Sequence, residues 1–386
     1  VINDDYRGVY LFTERIKRDK NRVNVKKVEP HFAAGDSLTG GYILKFDRYD
    51  APVDDNLPTF FESGYNADND LEKSVPIAYV YPKPEDLTIV QRDYISLWVN
   101  TFEDALAGDN FTSPVLGYRP YVDLESFIDF LIINEISRNV DGYRLSTFLY
   151  KERDSSGGKL HMGPVWDFNL AFGNADYCEG GEVAGWAYDF GQVCPNDFFQ
   201  LPFWWRRLLQ DPAFNGQLVD RWNALRANEF SDNNLNAIID ALVDEMGDAP
   251  RRNFERWPVL EEYVWPNAFI GGSYPAEIDY LKNWVVNRTA WIDSTLNELT
   301  PVQNVNFTSA LSLSPNPTDG KVRLTYEANE VIQQIRVYDT YGRLYLSSDE
   351  RSVMTNIDLS TLPAGTYFFQ AQSASGAIFT GKVIKQ

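Results

Sequence analysis

Two aspartates, each placed soon after an apolar segment, constrain this chain more than any other feature of its sequence. Asp141 lies in an N-V-D-G turn that follows a predicted helix, and Asp167 closes the short apolar run Met162–Trp166. A β-hairpin pattern lies between them. A helix, a turn bearing an acid, a hairpin and an acid at the end of a buried strand form the layout of a phosphotransferase site. In such a site one acid orients the attacking hydroxyl and the other holds Mg²⁺ on the nucleotide phosphates.

The patterns around these acids predict an α+β domain over residues 1–298. Its first part is strand-rich, and its later part carries helical periodicity with seven tryptophans that we expect to be core. The domain is thus a small β lobe followed by a larger helical lobe. The predicted strands and helices are residues 6–14, residues 41–48, Ile77–Tyr81, Leu87–Ala107, a helix capped by Asp123 and ending at Ile136, and a hairpin of residues 146–151 and 159–166.

The character of the chain changes after Leu299. Residues 299–308 form a short polar linker, and residues 309–386 contain neither Trp nor His. Alternating runs recur there every 8–12 residues and are separated by Gly, Pro and Asn turn signals. This pattern predicts a small antiparallel, Ig-like β-sandwich. Its strands are predicted at Val322–Tyr326, Ile335–Tyr338, Leu344–Leu346, Asn356–Asp358, Thr366–Ala371 and Ile378–Ile384.

Charge and cysteine content restrict the function further. The formal net charge is −20, which argues against a nucleic-acid partner because such a surface needs a basic footprint. The sequence has no apolar run long enough for a transmembrane segment. It opens at Val1 without Met, so we expect further sequence upstream. The two cysteines, Cys178 and Cys194, bracket a loop-like stretch rich in Gly and acids. A disulfide is the preferred interpretation, and two reduced thiols are the alternative.

The C-terminal segment resembles a known export signal. The stretches L-S-P-N-P-T-D-G-K-V, I-R-V-Y-D-T-Y-G-R-L, I-D-L-S-T-L-P-A-G-T-Y-F-F and G-A-I-F-T-G-K-V-I-K-Q lie between residues 309 and 386. They resemble the type A C-terminal sorting domain of the type IX secretion system. The resemblance implies a Bacteroidetes-type host, the type IX secretion machinery as a partner, and a secreted or outer-membrane surface-attached location.

The preceding domain resembles the CotH kinase family. The matching stretches are Y-R-G-V-Y-L-F-T-E-R-I-K-R-D-K-N-R-V, G-G-Y-I-L-K-F-D-R, S-F-I-D-F-L-I-I-N-E-I-S-R-N-V-D and G-P-V-W-D-F-N-L-A-F-G-N, in the order of the family. The resemblance implies a kinase-like two-lobed fold with ATP and Mg²⁺. It gives Asp141 the position of the catalytic acid and Asp167 that of the metal-binding acid.

Four further residues are candidates for this site. A protein kinase has Asn five residues after its catalytic acid to bind a second metal, and this chain has Ser146 there. Asn139, two residues before the acid, is a possible substitute ligand. A nucleotide site also needs a Lys on the phosphates and an acid that orients it, and Lys45 and Glu14 are the candidates from the strand patterns. Residues 15–27 are strongly basic, which suits either phosphate attraction or a solvated surface.

These sequence features are compatible with three functions. The leading hypothesis is an atypical kinase that transfers the γ-phosphoryl group of ATP to a Ser/Thr hydroxyl of a protein or to another small hydroxyl acceptor. The second is a non-catalytic surface adhesin or pseudokinase scaffold, which Ser146 and the scarcity of extracellular ATP favour. The third is a carbohydrate-active protein, because glycosidases also use two carboxylates.

Overall fold

The computed structural model describes residues 3–49, 57–67, 72–299, 311–325, 332–339, 344–348, 355–373 and 378–386. The chain divides into two units, Val1–Thr300 and Pro301–Gln386. The first combines a sheet with helices and the second consists of β-strands, so the protein is α+β. Of the predicted linker, residues 300–308 lie outside the described residues.

A five-stranded antiparallel sheet forms one side of the first unit. Its order is β2-β3-β1-β4-β5. The strands are β1 (Tyr42–Phe46), β2 (Phe60–Glu62), β3 (Pro76–Tyr81), β4 (Thr147–Lys151) and β5 (Leu160–Met162). Because side chains alternate along a strand, β1 contributes to two cores. Leu44 packs into the main core of the unit, whereas Ile43 packs with Val23, Val25 and Phe148 on the outer face of the sheet.

The described helices are α1 (Ile89–Ala107), α2 (Leu124–Ser137), α3 (Phe190–Val193), α4 (Trp204–Leu208), α5 (Pro212–Arg226), α6 (Asp232–Met246), α7 (Ala249–Arg256) and α8 (Tyr274–Leu299). Helices α1, α2, α3, α4, α5 and α8 share the main core with the inner face of the sheet, and α6 packs against α8. As predicted, the side chain of Asp123 caps α2, where it accepts a hydrogen bond from the N–H of Ser126. Trp204, Trp205 and Trp222 are buried in the main core. None of the described helices has both the length and the apolar character needed to span a bilayer.

Two predicted strands differ from the structure. Residues 6–14 form no strand and join neither edge of the sheet, which ends at β2 and at β5. The segment instead crosses towards α7, where the N–H of Val9 donates to Asn253 Oδ1. The second strand of the hairpin ends at Met162 instead of Trp166. Pro164 follows two residues after Met162 and has no N–H to continue the ladder. Asp167 therefore lies five residues beyond the strand.

The second unit contains the six predicted strands and one more at its start. Its described strands are β6 (Ser312–Ser314), β7 (Lys321–Thr325), β8 (Ile332–Asp339), β9 (Leu344–Ser348), β10 (Thr355–Asp358), β11 (Gly365–Ser373) and β12 (Ile378–Lys385). They form two antiparallel sheets, ordered β10-β7-β6 and β12-β11-β8-β9. Residues of both sheets, among them Val322 and Phe369, share one hydrophobic core.

Candidate active site

Asp141 lies in a conformationally strained turn between α2 and β4. Arg138, Tyr143 and Ser146 have φ values of 43°, 68° and 48°, in the left-handed region that non-glycine residues rarely adopt. Asn139 is buried, and its Oδ1 accepts the N–H of Asp141 at 3.2 Å. Non-glycine residues in this region carry a cost that persists only where the surroundings impose it, and such residues cluster at functional sites. The turn thus has the local geometry of a site that holds one carboxylate in place.

The carboxylate of Asp141 is held by a cation and a phenol. Arg144 Nη2 lies 2.7 Å from Asp141 Oδ1, and the hydroxyl of Tyr177 donates to the same oxygen at 3.4 Å. Burial raises the pKa of Asp141, and the negative charge of Asp167 adds to the rise. Arg144, Tyr177 and the charge of Arg48 oppose it. The charge of Asp167 thus contributes to the electrostatic surroundings of Asp141.

Arg144 is itself fixed from three sides. Its Nη1 lies 3.1 Å from Asp197 Oδ1, its Nε donates to the carbonyl of Val140, and its guanidinium lies 3.9 Å from the ring centroid of Phe190. Only 3% of its side chain is exposed. A buried guanidinium with two carboxylate partners and a π contact has little freedom to leave Asp141.

A disulfide joins the two segments that supply these contacts. Cys178 and Cys194 are bonded, which confirms the disulfide prediction. Tyr177 precedes the first cysteine directly, and the N–H of Asp197 donates to the carbonyl of the second at 3.2 Å. The disulfide thus lies close to Tyr177, which contacts Asp141, and to Asp197, which contacts Arg144.

Asp167 is exposed and has a φ of 64°, so the chain turns sharply at the acid. Next to it, Trp166 lines a cavity of about 360 Å³ on the outer face of the sheet. Lys45 and Arg48 line the same cavity, and Lys45 Nζ lies 3.1 Å from Asp47 Oδ2. The rest of the lining is Arg15, Ile16, Asp47, Tyr49, Thr59, Ala78, Tyr79, Val80, Pro84 and Phe148.

Glu14 lies apart from Lys45. It pairs with Arg22 and with Lys17, and the hydrogen bond from Arg22 is the main reason that the pKa of Glu14 falls to about 2. Glu14 lines a second cavity, of about 600 Å³, which shares Arg15 and Ile16 with the first. The acid next to Lys45 is Asp47, so sequence reasoning found the lysine of this cavity but not its partner.

The site has few groups that could hold a metal ion. Among the described residues, no three His, Cys, Asp or Glu side chains cluster in a way that could hold one. Mg²⁺ bound to a nucleotide needs only one or two carboxylates, because phosphates and water supply the remaining ligands. The exposed carboxylate of Asp167 and the half-buried Ser146 fit that requirement. Asn139 fits it less well, since its oxygen already accepts the N–H of Asp141.

A buried ion pair between Glu135 and Arg288 lies next to the turn that carries Asp141. Glu135 of α2 accepts hydrogen bonds from the hydroxyl of Tyr143 at 2.9 Å and from the N–H groups of Ala187 and Tyr188. Arg288 of α8 lies 3.2 Å from the same carboxylate, and both side chains are at most 2% exposed. Arg288 also donates to the carbonyl of Glu135. Burial raises the pKa of Glu135, and the four donors oppose that rise. The same contacts join α2, α8 and the turn of Asp141.

Sequence reasoning missed Arg144, Tyr177 and Arg48. The first lies three residues after Asp141, where an ion pair within one turn of the chain is a detectable signal. The other two come from distant segments, and nothing in the local pattern connects them to the acid.

The fold and the site define an α+β protein with an acid-bearing cleft, followed by an all-β unit. Residues 1–292 match the family described as CotH kinase protein, and the chain belongs to that family. Residues 312–386 match the family described as secretion system C-terminal sorting domain. This sorting tail makes the chain an exported protein with a secreted or cell-surface location.

Comparisons with curated proteins and with solved structures identify no further relationship that supports a function. Comparison with curated proteins finds no significant match. Two similar solved structures are the CBM51-2 and INT domains of ZmpB from Clostridium perfringens, at 23% identity, and CopC from Methylosinus trichosporium OB3b, at 24%. The matches cover 18% and 20% of this chain and 17% and 90% of those chains, each with a TM-score of 0.16. The chain thus spans under a fifth of the length of the first.

Proposed function

We propose that the first unit is a kinase-like phosphotransferase that moves the γ-phosphoryl group of ATP to a Ser/Thr hydroxyl or another hydroxyl acceptor. The observation that carries this proposal is that the charges of Arg48 and Asp167 both act on Asp141, while Arg48, Lys45 and the Trp166 neighbour of Asp167 line one cavity. In the proposed arrangement two acids and two cations serve phosphoryl transfer, in which catalysis is mainly positioning and charge stabilisation.

The cavity on the outer face of the sheet suits a nucleotide. Lys45 and Arg48 supply positive charge for phosphate oxygens, and Tyr79, Phe148 and Trp166 supply apolar and aromatic surface for a base. Arg15 adds a third cation to the lining and is the first residue of the basic segment. A positive cavity wall in a chain of net charge −20 concentrates anionic ligands at this place.

Asp141 orients the acceptor hydroxyl and accepts its proton late in the transfer. Among the described residues, Arg144 and Tyr177 both contact Oδ1, which leaves Oδ2 for the acceptor. These two contacts fix the direction of the carboxylate, and positioning of this kind supplies a large share of the rate in such reactions. Asp167 and Ser146 would hold the Mg²⁺ that accompanies ATP, which neutralises charge on the phosphates.

Calorimetry with Mg²⁺ and ATP tests this proposal. Asp167→Asn should weaken Mg²⁺-dependent nucleotide binding, because a charged metal ligand becomes neutral. Asp141→Asn should leave binding nearly intact and lower the transfer rate by about 10²–10⁴. Asp220→Asn, on the exposed face of α5, is the matched control and should change neither. Unchanged ATP affinity and turnover in both site variants would refute the phosphotransferase proposal.

The second candidate is a non-catalytic surface scaffold. Ser146 replaces the expected metal-binding carboxamide, and the contact of Arg144 with Asp141 at 2.7 Å makes the acid a weaker base. A scaffold of this kind would retain partner proteins without binding nucleotide. Absence of Mg²⁺-dependent ATP binding by the unmodified chain, together with retention of a protein partner, would favour it over the kinase.

A further inference from the structure

Residues 257–270, which we call the shelf, connect α7 to α8 and expose an unusual amount of apolar surface. Trp265 is 69% exposed and Tyr263 is 54% exposed. The large exposed hydrophobic side chains of the shelf are Trp257, Val259, Tyr263, Val264, Trp265 and Ile270. Apolar side chains scattered singly over a surface are ordinary, but a cluster within one segment indicates a binding surface.

One end of the shelf reaches the catalytic acid through an aromatic pair. The ring of Trp265 is stacked on that of Tyr177, with centroids 6.1 Å apart and planes 16° from parallel. Tyr177 in turn donates its hydroxyl hydrogen bond to Asp141. Backbone contacts fix this arrangement, since the N–H of Asp176 donates to the carbonyl of Pro266 at 2.8 Å. Trp265 therefore presents an exposed aromatic surface one side chain away from Asp141.

The other part of the shelf reaches the metal-binding acid through a cavity. This cavity, of about 450 Å³, lies between the shelf, α8 and the segment that directly follows Asp167. Phe269 of the shelf stacks on Tyr280 of α8 with centroids 4.2 Å apart, and Tyr280 donates to the carbonyl of Gly173. The lining nearest the site includes Phe168, Asn169 and Phe172. Because Phe168 is the neighbour of Asp167, a group bound in this cavity lies close to the metal-binding acid.

The charges of the cavity restrict what it can bind. Its carboxylates are Glu262 and Glu277, and Glu277 accepts the N–H of Gly271. The lining residues include no lysine, arginine or histidine. The other lining groups are mostly aromatic or aliphatic, with the carboxamides of Asn169, Asn174 and Asn267. Such a cavity suits an apolar side chain and repels a carboxylate.

We propose that the shelf and its cavity bind the acceptor polypeptide. The segment bound carries an aromatic or long aliphatic side chain beside the hydroxyl that is phosphorylated, and no carboxylate at that position. Its apolar side chain occupies the cavity, and its backbone crosses Trp265 towards Asp141. The role as acceptor site rests on the proposed phosphotransferase function, whereas peptide binding itself does not. One connecting segment thus contacts the neighbours of both acids, which is the placement that an acceptor site requires.

Direct binding of labelled peptides tests the proposal on the full-length protein. The probes are short fluorescein-labelled peptides with one serine, flanked in turn by Phe, Ala or Asp, and fluorescence anisotropy measures their affinity. The best Phe peptide should bind about 10- to 100-fold more tightly than its Ala counterpart, as expected for burial of one large apolar side chain. The corresponding Asp peptide should bind more weakly than the Ala peptide.

Two shelf variants and a control separate the proposal from nonspecific binding. Ile270→Glu places a charge at the cavity wall and should remove the preference for Phe, and Ile270 is exposed enough for the fold to tolerate it. Glu262→Lys should make the Asp peptide bind at least as well as the Ala peptide. Glu261→Lys makes the same charge change outside the cavity and should alter neither preference. Equal affinity for all peptides, or the same response in all three variants, would overturn the proposal.

The same peptides distinguish this proposal from the phosphotransferase function. Phe-selective binding without Mg²⁺-dependent ATP binding would keep the shelf as a peptide site and refute its role as an acceptor site. Transfer to serine that is indifferent to Phe and to Ile270→Glu would keep the kinase and overturn the shelf. With both functions present, kcat/KM for the Phe peptide should fall in Ile270→Glu while ATP affinity stays unchanged.

Discussion

Removal of the carboxylate of Glu135 should destabilise the first unit by about 3–5 kcal/mol, which is the usual cost of leaving the other member of a buried ion pair without its partner. Arg288 has 0% of its side chain exposed, so its charge cannot regain water in Glu135→Ala. The N–H groups of Ala187 and Tyr188 lose their acceptor as well. Arg288 keeps the carbonyls of Val183 and Gly185 as acceptors, which places the expected cost towards the lower end of that range.

Urea unfolding followed by tryptophan fluorescence measures this cost in the full chain. All ten tryptophans precede residue 299, so the signal reports the first unit alone. With an m-value of ~2–3 kcal/mol per M, the midpoint should fall by about 1–2.5 M. Glu125→Ala, at an exposed position of the same helix, is the control and should change stability by less than about 0.5 kcal/mol.

A double-mutant cycle decides whether the ion pair is the cause. Arg288→Met removes the charge and keeps an apolar side chain of similar length, so the double variant Glu135→Ala with Arg288→Met leaves no buried charge without its partner. The double variant should lose less stability than the sum of the two single variants. Additive losses would show that the two side chains do not depend on each other, and that the buried-pair reasoning is wrong.

Three further predictions concern the surroundings of Asp141. Tyr177→Phe removes a hydrogen bond that lowers the pKa of Asp141, so the pKa of Asp141 in the folded protein should rise. Because less of the carboxylate is then ionised at a given pH, the acidic limb of the kcat/KM profile should move to higher pH. An unchanged limb would show that this contact does not affect the acid. Replacing Cys178 and Cys194 by Ser should destabilise the first unit by about 3 kcal/mol, which is the loop-closure value for this separation. The replacement should also lower kcat/KM for transfer. Equal activity with and without the disulfide would contradict its role in positioning Asp141. Ser146→Asn should raise turnover and lower the Mg²⁺ concentration needed for half-maximal rate, and no response to Mg²⁺ would show that a second metal ion does not limit the reaction.

The sequence was informative wherever local chemistry decides structure. The capping of α2 by Asp123, the disulfide and all six predicted strands of the second unit depend on neighbouring residues, and the structure contains each of them.

Errors arose where tertiary pairing overrides a local pattern. Residues 6–14 alternate like a strand, but they join neither edge of the sheet. The contact of Tyr177 with Asp141 and the acid next to Lys45 depend on where distant segments meet. Trp257 and Trp265 were predicted to be core because they fall in a region of helical periodicity, yet they lie in a connection and are 45% and 69% exposed. Periodicity cannot report exposure outside regular elements.

The disulfide links completion of the candidate site to export of the chain. The chain carries a sorting tail for export, and it is synthesised in a compartment where thiols stay reduced. Until Cys178 and Cys194 join, the segments that hold Tyr177 and Asp197 lack their covalent connection, and the carboxylate of Asp141 is less firmly oriented. Under the proposed phosphotransferase function, the site matures only after the chain leaves the reducing compartment, which spares the proteins of the producing cell from phosphorylation during synthesis.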